Sequence, residues 1–184
     1  MSRLLLAALV GGIIVFVWGS VSYLALPFHA QTMHTFPGER AELEAFFSRA
    51  PETGVYMYPG RVDAPAEAAT DKREGPAVTL MVLHPEGVDT PMWASLVLFL
   101  VVNCVGAFIL AVMIQGMRRG GAPAPACVLV GVLFAVFAIV VAYLPDAFFW
   151  HYPRERVTLG VVDVLVPWTV VSVVLTIMLK PRPA

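Results

Sequence analysis

The stretch WASLVLFLVVNCVGAFILAVMIQ, residues 93–115, decides the fold class of this protein. It contains no charged side chain, and it is long enough to cross a bilayer, which takes about 20 apolar residues in a helix. Three further stretches have the same character: Leu4–Leu26, Ala126–Leu144 and Leu159–Leu179. We therefore expect an all-α integral membrane protein, a bundle of four transmembrane helices.

The composition of the 184-residue chain agrees with this expectation. Hydrophobic residues make up 59% of the chain and charged residues 14%, whereas soluble domains average about 45–50% and about 25%. The net charge of −1 provides no basic field for nucleic acid. Both cysteines, Cys104 and Cys127, lie within apolar stretches, so the sequence has no disulfide framework. We expect the lipid bilayer, and no nucleic acid, as a partner.

The positive charges predict the orientation of the helices. Five basic residues occupy the segments before the first helix, after the second and after the fourth, and these segments contain no acid: Arg3, Arg118, Arg119, Lys180 and Arg182. The other two segments, residues 27–92 and 145–158, hold seven basic and twelve acidic residues. Because lysine and arginine accumulate in cytoplasmic loops, we expect both termini in the cytoplasm and those two segments outside.

The first helix is expected to remain as an anchor. Its apolar run is longer than the roughly 7–15 residues of a signal-peptide core, and no small-x-small cleavage site follows it.

The external segment 27–92 is predicted to hold a small α-β-β insert between the first two helices. Proline and acidic residues at 36–39 open a helix, and Leu43, Phe46 and Phe47 follow at helical spacing. These three apolar side chains form a possible docking surface.

Two strands complete the insert, at Gly54–Tyr58 and Ala77–Leu83. The sequence between them, residues 61–76, is rich in Ala, Pro and charged residues and predicts a mobile loop.

Small residues at helical spacing predict where the four helices pack. Such residues let helix backbones approach closely in a membrane. The stripes contain Gly12, Gly19, Ala107, Ala111, Gly131 and Ala135, and the third continues to Ala138 and Ala142. Asn103 and Gln115 continue the stripe of the second helix, as candidate hydrogen bonders between helices. The stripes either face inward in one bundle or dock against another protein.

Asp163 is the one charged residue within the four apolar stretches. An ionisable residue inside a span is a functional candidate because its burial is costly. We place it about one helical turn from the outer end of the fourth helix. Its possible partners are Arg154, Arg156, Ser20, Ser22 and Asn103. It is either a structural carboxylate near the interface or a proton or cation site.

All four histidines fall in the predicted external segments: His29, His34, His84 and His151. Imidazole binds zinc, copper, iron and nickel, and the thioether of Met33 beside His34 favours Cu(I). A metal or haem site requires these side chains to converge. Otherwise they are polar tips in the headgroup layer. No cofactor is firmly implied.

Two motifs at the end of the first helix carry a family resemblance: Phe16-x-Trp18-Gly19-x-x-Ser22 and Leu26-Pro27-x-His29. Gly54-Val55-Tyr56-x-x-Pro59 follows in the insert. Together they resemble a class of small bacterial inner-membrane proteins with four predicted spans and no assigned activity. The resemblance covers about the first third of the chain. It implies a bacterial inner-membrane setting, and it makes the Trp-Gly and Pro-x-His positions the first to test.

The sequence contains no GxSxG, GxGxxG, P-loop or HExxH motif, so we expect no enzyme. The leading hypothesis is an accessory or structural subunit that packs against a membrane partner or a second copy. One alternative is a metal or haem binding protein of the external face. The other is a small transporter or channel, which would need Asp163, Asn103 and Gln115 to line one lumen.

Overall fold

The computed structural model describes residues 2–58 and 76–180, so nearly all of the predicted mobile loop, residues 61–76, lies outside the described residues. The chain forms two compact units. One comprises Met1–His34 and Thr90–Ala184, and the other is Thr35–Asp89. We describe each unit by itself.

The elements of the chain are mostly helical. They are α1 (Ser2–Ser20), a first π-helical segment (Val21–Ala25), α2 (Phe28–Thr32), α3 (Arg40–Phe47), β1 (Gly54–Tyr58), β2 (Val78–Leu83), α4 (Met92–Arg119), α5 (Ala124–Ala138), a second π-helical segment (Ile139–Tyr143), α6 (Leu144–Phe149) and α7 (Arg154–Met178).

Within the described residues, four helices are long and apolar enough to cross a membrane, and we call them spans 1 to 4: Arg3–Ala25, Met92–Arg119, Ala124–Phe149 and Arg154–Met178. All four predicted helices are therefore present. Their length and hydropathy are compatible with membrane insertion.

Span 4 begins earlier than predicted, at Arg154, because Pro153 caps a helix that continues through the polar residues 154–158. Asp163 consequently lies nine residues from the start of this helix, about 13 Å along its axis, whereas it lies about one turn from the start of the predicted apolar stretch at Leu159.

The four spans pack through their small and aliphatic residues. Span 1 lies against spans 2 and 4, and span 3 lies against span 4. Their shared core contains the buried side chains of Ala7, Val15, Leu110, Ala111, Ile114, Cys127, Val171, Leu175 and Leu179.

Most of the small residues predicted at the helix interfaces are buried. They are Gly12, Ala107, Ala111, Gly131 and Ala135, and Gly19 is half-buried against the ring of Phe99. Gly12 marks the closest approach of spans 1 and 2, because a Cβ atom there would lie 2.8 Å from the backbone N and Cα of Cys104. The third stripe departs from the prediction. Its buried face runs from Ala135 to Ile139, and Ala138 and Ala142 are exposed.

Helices α1 and α5 end in the same way. Each passes into a five-residue π-helical segment and then into the dipeptide Leu-Pro. The Leu26 amide donates to the carbonyl of Val21 at 3.0 Å, and the Leu144 amide donates to the carbonyl of Ile139. A π-helical turn contains one extra residue, so it changes the direction of the side chains that follow.

The unit Thr35–Asp89 contains the predicted α-β-β elements. Helix α3 begins after Glu39, strand β1 has its predicted bounds, and β2 begins one residue later than predicted. The strands are antiparallel, with Gly54 opposite Leu83.

Substitution of Gly12 tests the close approach of spans 1 and 2. Gly12→Ala should destabilise the protein by about 1–3 kcal/mol, because the added methyl overpacks a contact with backbone atoms that cannot move aside. Thermal denaturation in detergent measures the change. Gly116→Ala is the matched control, since a Cβ atom at that helical glycine meets nothing within 4 Å. Equal denaturation temperatures for the two variants would contradict the packing described here.

Candidate functional site

The carboxylate of Asp163 accepts hydrogen bonds from three side chains near the end of span 1. The indole Nε1 of Trp18 donates to Oδ1 at 3.0 Å, and the hydroxyl of Ser22 donates to the same oxygen at 2.7 Å. His29 Nε2 lies 2.8 Å from Oδ2. These donors are more than 130 residues away in sequence. We call Trp18, Ser22, Tyr23, His29, Arg156 and Asp163 the Asp163 cluster.

A break in the helix brings His29 to this carboxylate. Residues seven apart in a continuous helix lie about 10 Å apart along its axis. Here His29 Nε2 is 3.1 Å from the hydroxyl of Ser22, seven residues earlier. The chain becomes extended at Leu26 (φ −93°, ψ 138°), and Pro27 then starts α2. This reversal returns the imidazole to the side of Ser22.

Arg156 determines which ring nitrogen of His29 carries the proton. Its guanidinium lies 3.1 Å from Nδ1 of the ring. A guanidinium has only donors, so Nδ1 must accept and is unprotonated. The imidazole is therefore neutral, with its proton on Nε2, and donates to Asp163. These two hydrogen bonds connect Arg156 through His29 to Asp163, and we call the three side chains the relay.

The charges in this relay balance. One arginine and one carboxylate lie on the same side of α7, seven residues apart, with the neutral imidazole between them. His29 is 1% exposed and the Asp163 side chain 17% exposed. A charge taken from water is costly unless it is paired and hydrogen-bonded, and the relay provides both conditions.

Two tyrosines enclose the relay. The ring of Tyr23 stacks on the imidazole of His29, with centroids 3.8 Å apart and planes at 10°. The hydroxyl of Tyr143 donates to the carbonyl of Arg156 at 3.1 Å. Gly160 leaves room for this contact, because a Cβ atom there would overlap Tyr143. Both π-helical segments thus contribute to the site, the first through Ser22 and the second through Tyr143.

The cluster contains serine, histidine and aspartate, but it lacks the geometry of a catalytic triad. A triad places the serine and the carboxylate on opposite nitrogens of the imidazole. Here both Ser22 and Asp163 lie at Nε2, and Arg156 occupies Nδ1. The Ser22 hydroxyl is buried and donates to Asp163, and it does not face an unprotonated imidazole nitrogen that could activate it as a nucleophile. The arrangement holds charges together and can take up a proton.

The candidate metal ligands do not form a group around an ion. Among the residues that the structure describes, no three His, Cys, Asp or Glu side chains are placed to hold a metal. Both ring nitrogens of His29 are hydrogen-bonded within the cluster. His34 lines one groove and His151 another, and Met33 is exposed. His84 lies in the other unit.

Asn103 does not bond between helices as predicted, because its amide donates to the carbonyl of Phe99 in its own helix at 2.8 Å. Gln115 is half-buried and lies about three turns from Asn103 towards the end of span 2. Of the partners considered for Asp163, Ser22 contacts it directly and Arg156 contacts it through His29. Ser20 instead donates to the carbonyl of Phe16.

Sequence reasoning identified Asp163 and His29 separately and missed that they pair. It also missed Trp18, Tyr23 and Tyr143 as members of this site. The available signal was the spacing of Trp18 and Ser22, which places two donors on one face of a helix. Both residues, with His29, belong to the motifs that carry the family resemblance.

Comparisons of this chain with protein-family models, with curated proteins and with solved structures find no match. We therefore infer the function from the geometry of the site and the spans.

Replacing Asp163 tests the cluster. Asp163→Asn keeps the shape of the side chain but turns one acceptor oxygen into a donor that faces other donors. We expect a loss of about 1.5–3 kcal/mol in stability, the range for hydrogen bonds to a charged group. Denaturation in detergent measures it. Asp146→Asn, at an exposed acid of α6, is the matched control and should leave stability unchanged. A similar loss in both variants would show that Asp163 has no special role.

Proposed function

We propose that this chain is a small integral membrane protein that acts as an accessory or structural subunit. Its four spans form a self-contained bundle, and the unit Thr35–Asp89 provides the docking surface for a membrane protein partner. The distribution of basic residues favours both termini in the cytoplasm and the docking unit outside. The resemblance of the Trp18-Gly19 and Pro27-x-His29 motifs favours a bacterial inner membrane, in which that outer side is the periplasm.

The observation that carries this proposal is where the polar side chains of the spans direct their hydrogen bonds. Apart from the Asp163 cluster, several bond to a carbonyl of their own helix four residues earlier, and these are Ser20, Asn103, Thr169 and Ser172. A side chain bonded in this way has a partner within its own helix, which favours a packing role over a polar path between helices. These hydrogen bonds therefore favour a structural role for the spans over a role as a channel or transporter.

The Asp163 cluster has a structural role in this proposal. It joins the end of span 1 to span 4 through three hydrogen bonds to one carboxylate. In an apolar surrounding such bonds have few competing partners, so they fix the register of the two helices.

Residues of α3 are the part of the external unit best suited to docking. Phe46 is 54% exposed, and Leu43 and Phe47 are half-buried beside it. The Phe46 and Phe47 rings pack edge to face at 5.5 Å, so they form one apolar patch. Exposed aromatic side chains of this kind are common energetic centres of protein interfaces.

The two alternatives receive less support. A channel would need Asp163 and Asn103 to face one polar path, but Asp163 bonds to span 1 and Asn103 bonds to its own helix. A metal or haem protein would need the histidines to converge, and His29 is engaged with Asp163 and Arg156.

Purification of the full chain in mild detergent, with mass spectrometry of what remains bound, tests the subunit proposal. We expect a membrane protein in stoichiometric amount. Phe46→Glu should reduce the bound fraction at least tenfold, because a charge replaces an apolar anchor. Ala41→Glu is the matched control, since this exposed residue of α3 lies about 140° around the helix from Phe46. A chain that elutes alone, or equal loss in both variants, would overturn the proposal.

Reporter fusions test the orientation separately. An alkaline phosphatase fused at Glu52 should be active, because we place that residue outside, and one fused at Lys180 should be inactive. A green fluorescent protein should give the reverse pattern. Phosphatase activity at Lys180 would contradict the proposed topology.

A further inference from the structure

We propose that His29 is a proton-binding site at which acidification releases Arg156 while the bond to Asp163 is kept. The inference deepens the proposed function, since it assigns a regulation to the same cluster, and it rests on that function for its setting in a membrane subunit. Its chemistry follows from the hydrogen bonds of the neutral imidazole.

The neutral imidazole has one acceptor, Nδ1, and that acceptor faces the guanidinium of Arg156 at 3.1 Å. An added proton can bind only at the lone pair of Nδ1, which converts this nitrogen into a donor. Two donors then face each other, and two positive charges lie within hydrogen-bonding distance. Arg156 must leave. No bond other than this hydrogen bond is broken.

The hydrogen bond at Nε2, the other ring nitrogen of His29, is kept when the ring gains a proton. Nε2 carries a proton in both states, so its bond to Asp163 Oδ2 at 2.8 Å remains. The pair also becomes a bond between two charged groups, which is stronger than one with a neutral donor. Protonation therefore keeps α2 bound to span 4 and frees only the arginine.

The groups around His29 make it the site of protonation. Asp163 and Arg156 face it from α7, and Ser22 and Tyr23 face it from the first π-helical segment. Tyr143 contacts the backbone of Arg156 from span 3. Asp163 already accepts three hydrogen bonds, and a proton on it would leave some of those donors without an acceptor. Histidine ordinarily gains its proton between pH 5 and 8, whereas tyrosine stays protonated throughout.

The consequence of protonation is a change of charge at the outer end of span 4. In the neutral state the arginine and the carboxylate cancel through the imidazole. In the protonated state the cluster carries one net positive charge, and the guanidinium of Arg156 becomes free to bind elsewhere. With the proposed orientation, the pH outside the cytoplasmic membrane controls this change.

Nuclear magnetic resonance of the ¹⁵N-histidine-labelled full chain in detergent micelles tests the inference. We assign the His29 signals by their loss in His29→Gln. At pH 8 we expect a proton on Nε2 and none on Nδ1. Titration to pH 5 should add a proton to Nδ1, while Nε2 stays protonated. A proton on Nδ1 at pH 8, or a ring that remains unchanged down to pH 5, would overturn the inference.

Arg156→Met distinguishes a local role of the arginine from a general effect of charge. Removing the facing cation should raise the midpoint of the His29 titration by about one pH unit. Arg154→Met is the matched control, because this exposed arginine lies two residues away on the same helix. Equal shifts in the two variants would contradict the inference. If Arg156→Met does not fold, the wild-type titration still decides.

The result is independent of the partner experiment. The isolated chain can show the predicted titration without any bound protein, and a bound protein can be found when the titration fails. Failure of one proposal is therefore distinguishable from failure of the other.

Discussion

A single carboxylate within an apolar helix constrains the rest of this structure. Asp163 lies about 13 Å into span 4, where an unpaired charge would be costly. Three donors satisfy it, and each requires a local feature of span 1. Trp18 and Ser22 need the correct helix face, and His29 needs the chain to reverse at Pro27. The irregular end of span 1 is explained by this requirement.

Most of the architecture was predictable from sequence. Hydropathy identified four helices because a membrane span requires about 20 apolar residues. Short apolar runs that end before Pro59-Gly60 and before His84-Pro85 located both strands of the insert. The start of span 4 was not predictable in this way, because a helix can continue through polar residues beyond the apolar stretch. The helical spacing of small residues correctly predicted that Gly12 and Ala107 are buried. The same spacing placed Ala138 in the packed stripe of span 3, but Ala138 is exposed because the buried face continues from Ala135 to Ile139.

The site was harder to predict because it depends on contacts between distant parts of the chain. Asp163 and His29 are 134 residues apart, and neither hydropathy nor spacing links them. For Asn103, in contrast, the sequence predicted a contact between helices that the structure does not contain. A polar residue in a small-residue stripe suggests a bond across helices, but the nearest acceptor was the carbonyl of Phe99 in the preceding turn. Local acceptors compete with distant ones, and sequence alone does not decide between them.

The placement of the cluster also has a consequence for biosynthesis. The donors lie in span 1 and α2, and the acceptor lies in span 4, which is synthesised later. Until span 4 has been synthesised, Trp18, Ser22 and His29 lack the carboxylate that they bind in the finished protein. The order of translation therefore separates the two halves of the site by two helices and a folded insert. A chain truncated before span 4 would leave these three donors without that acceptor.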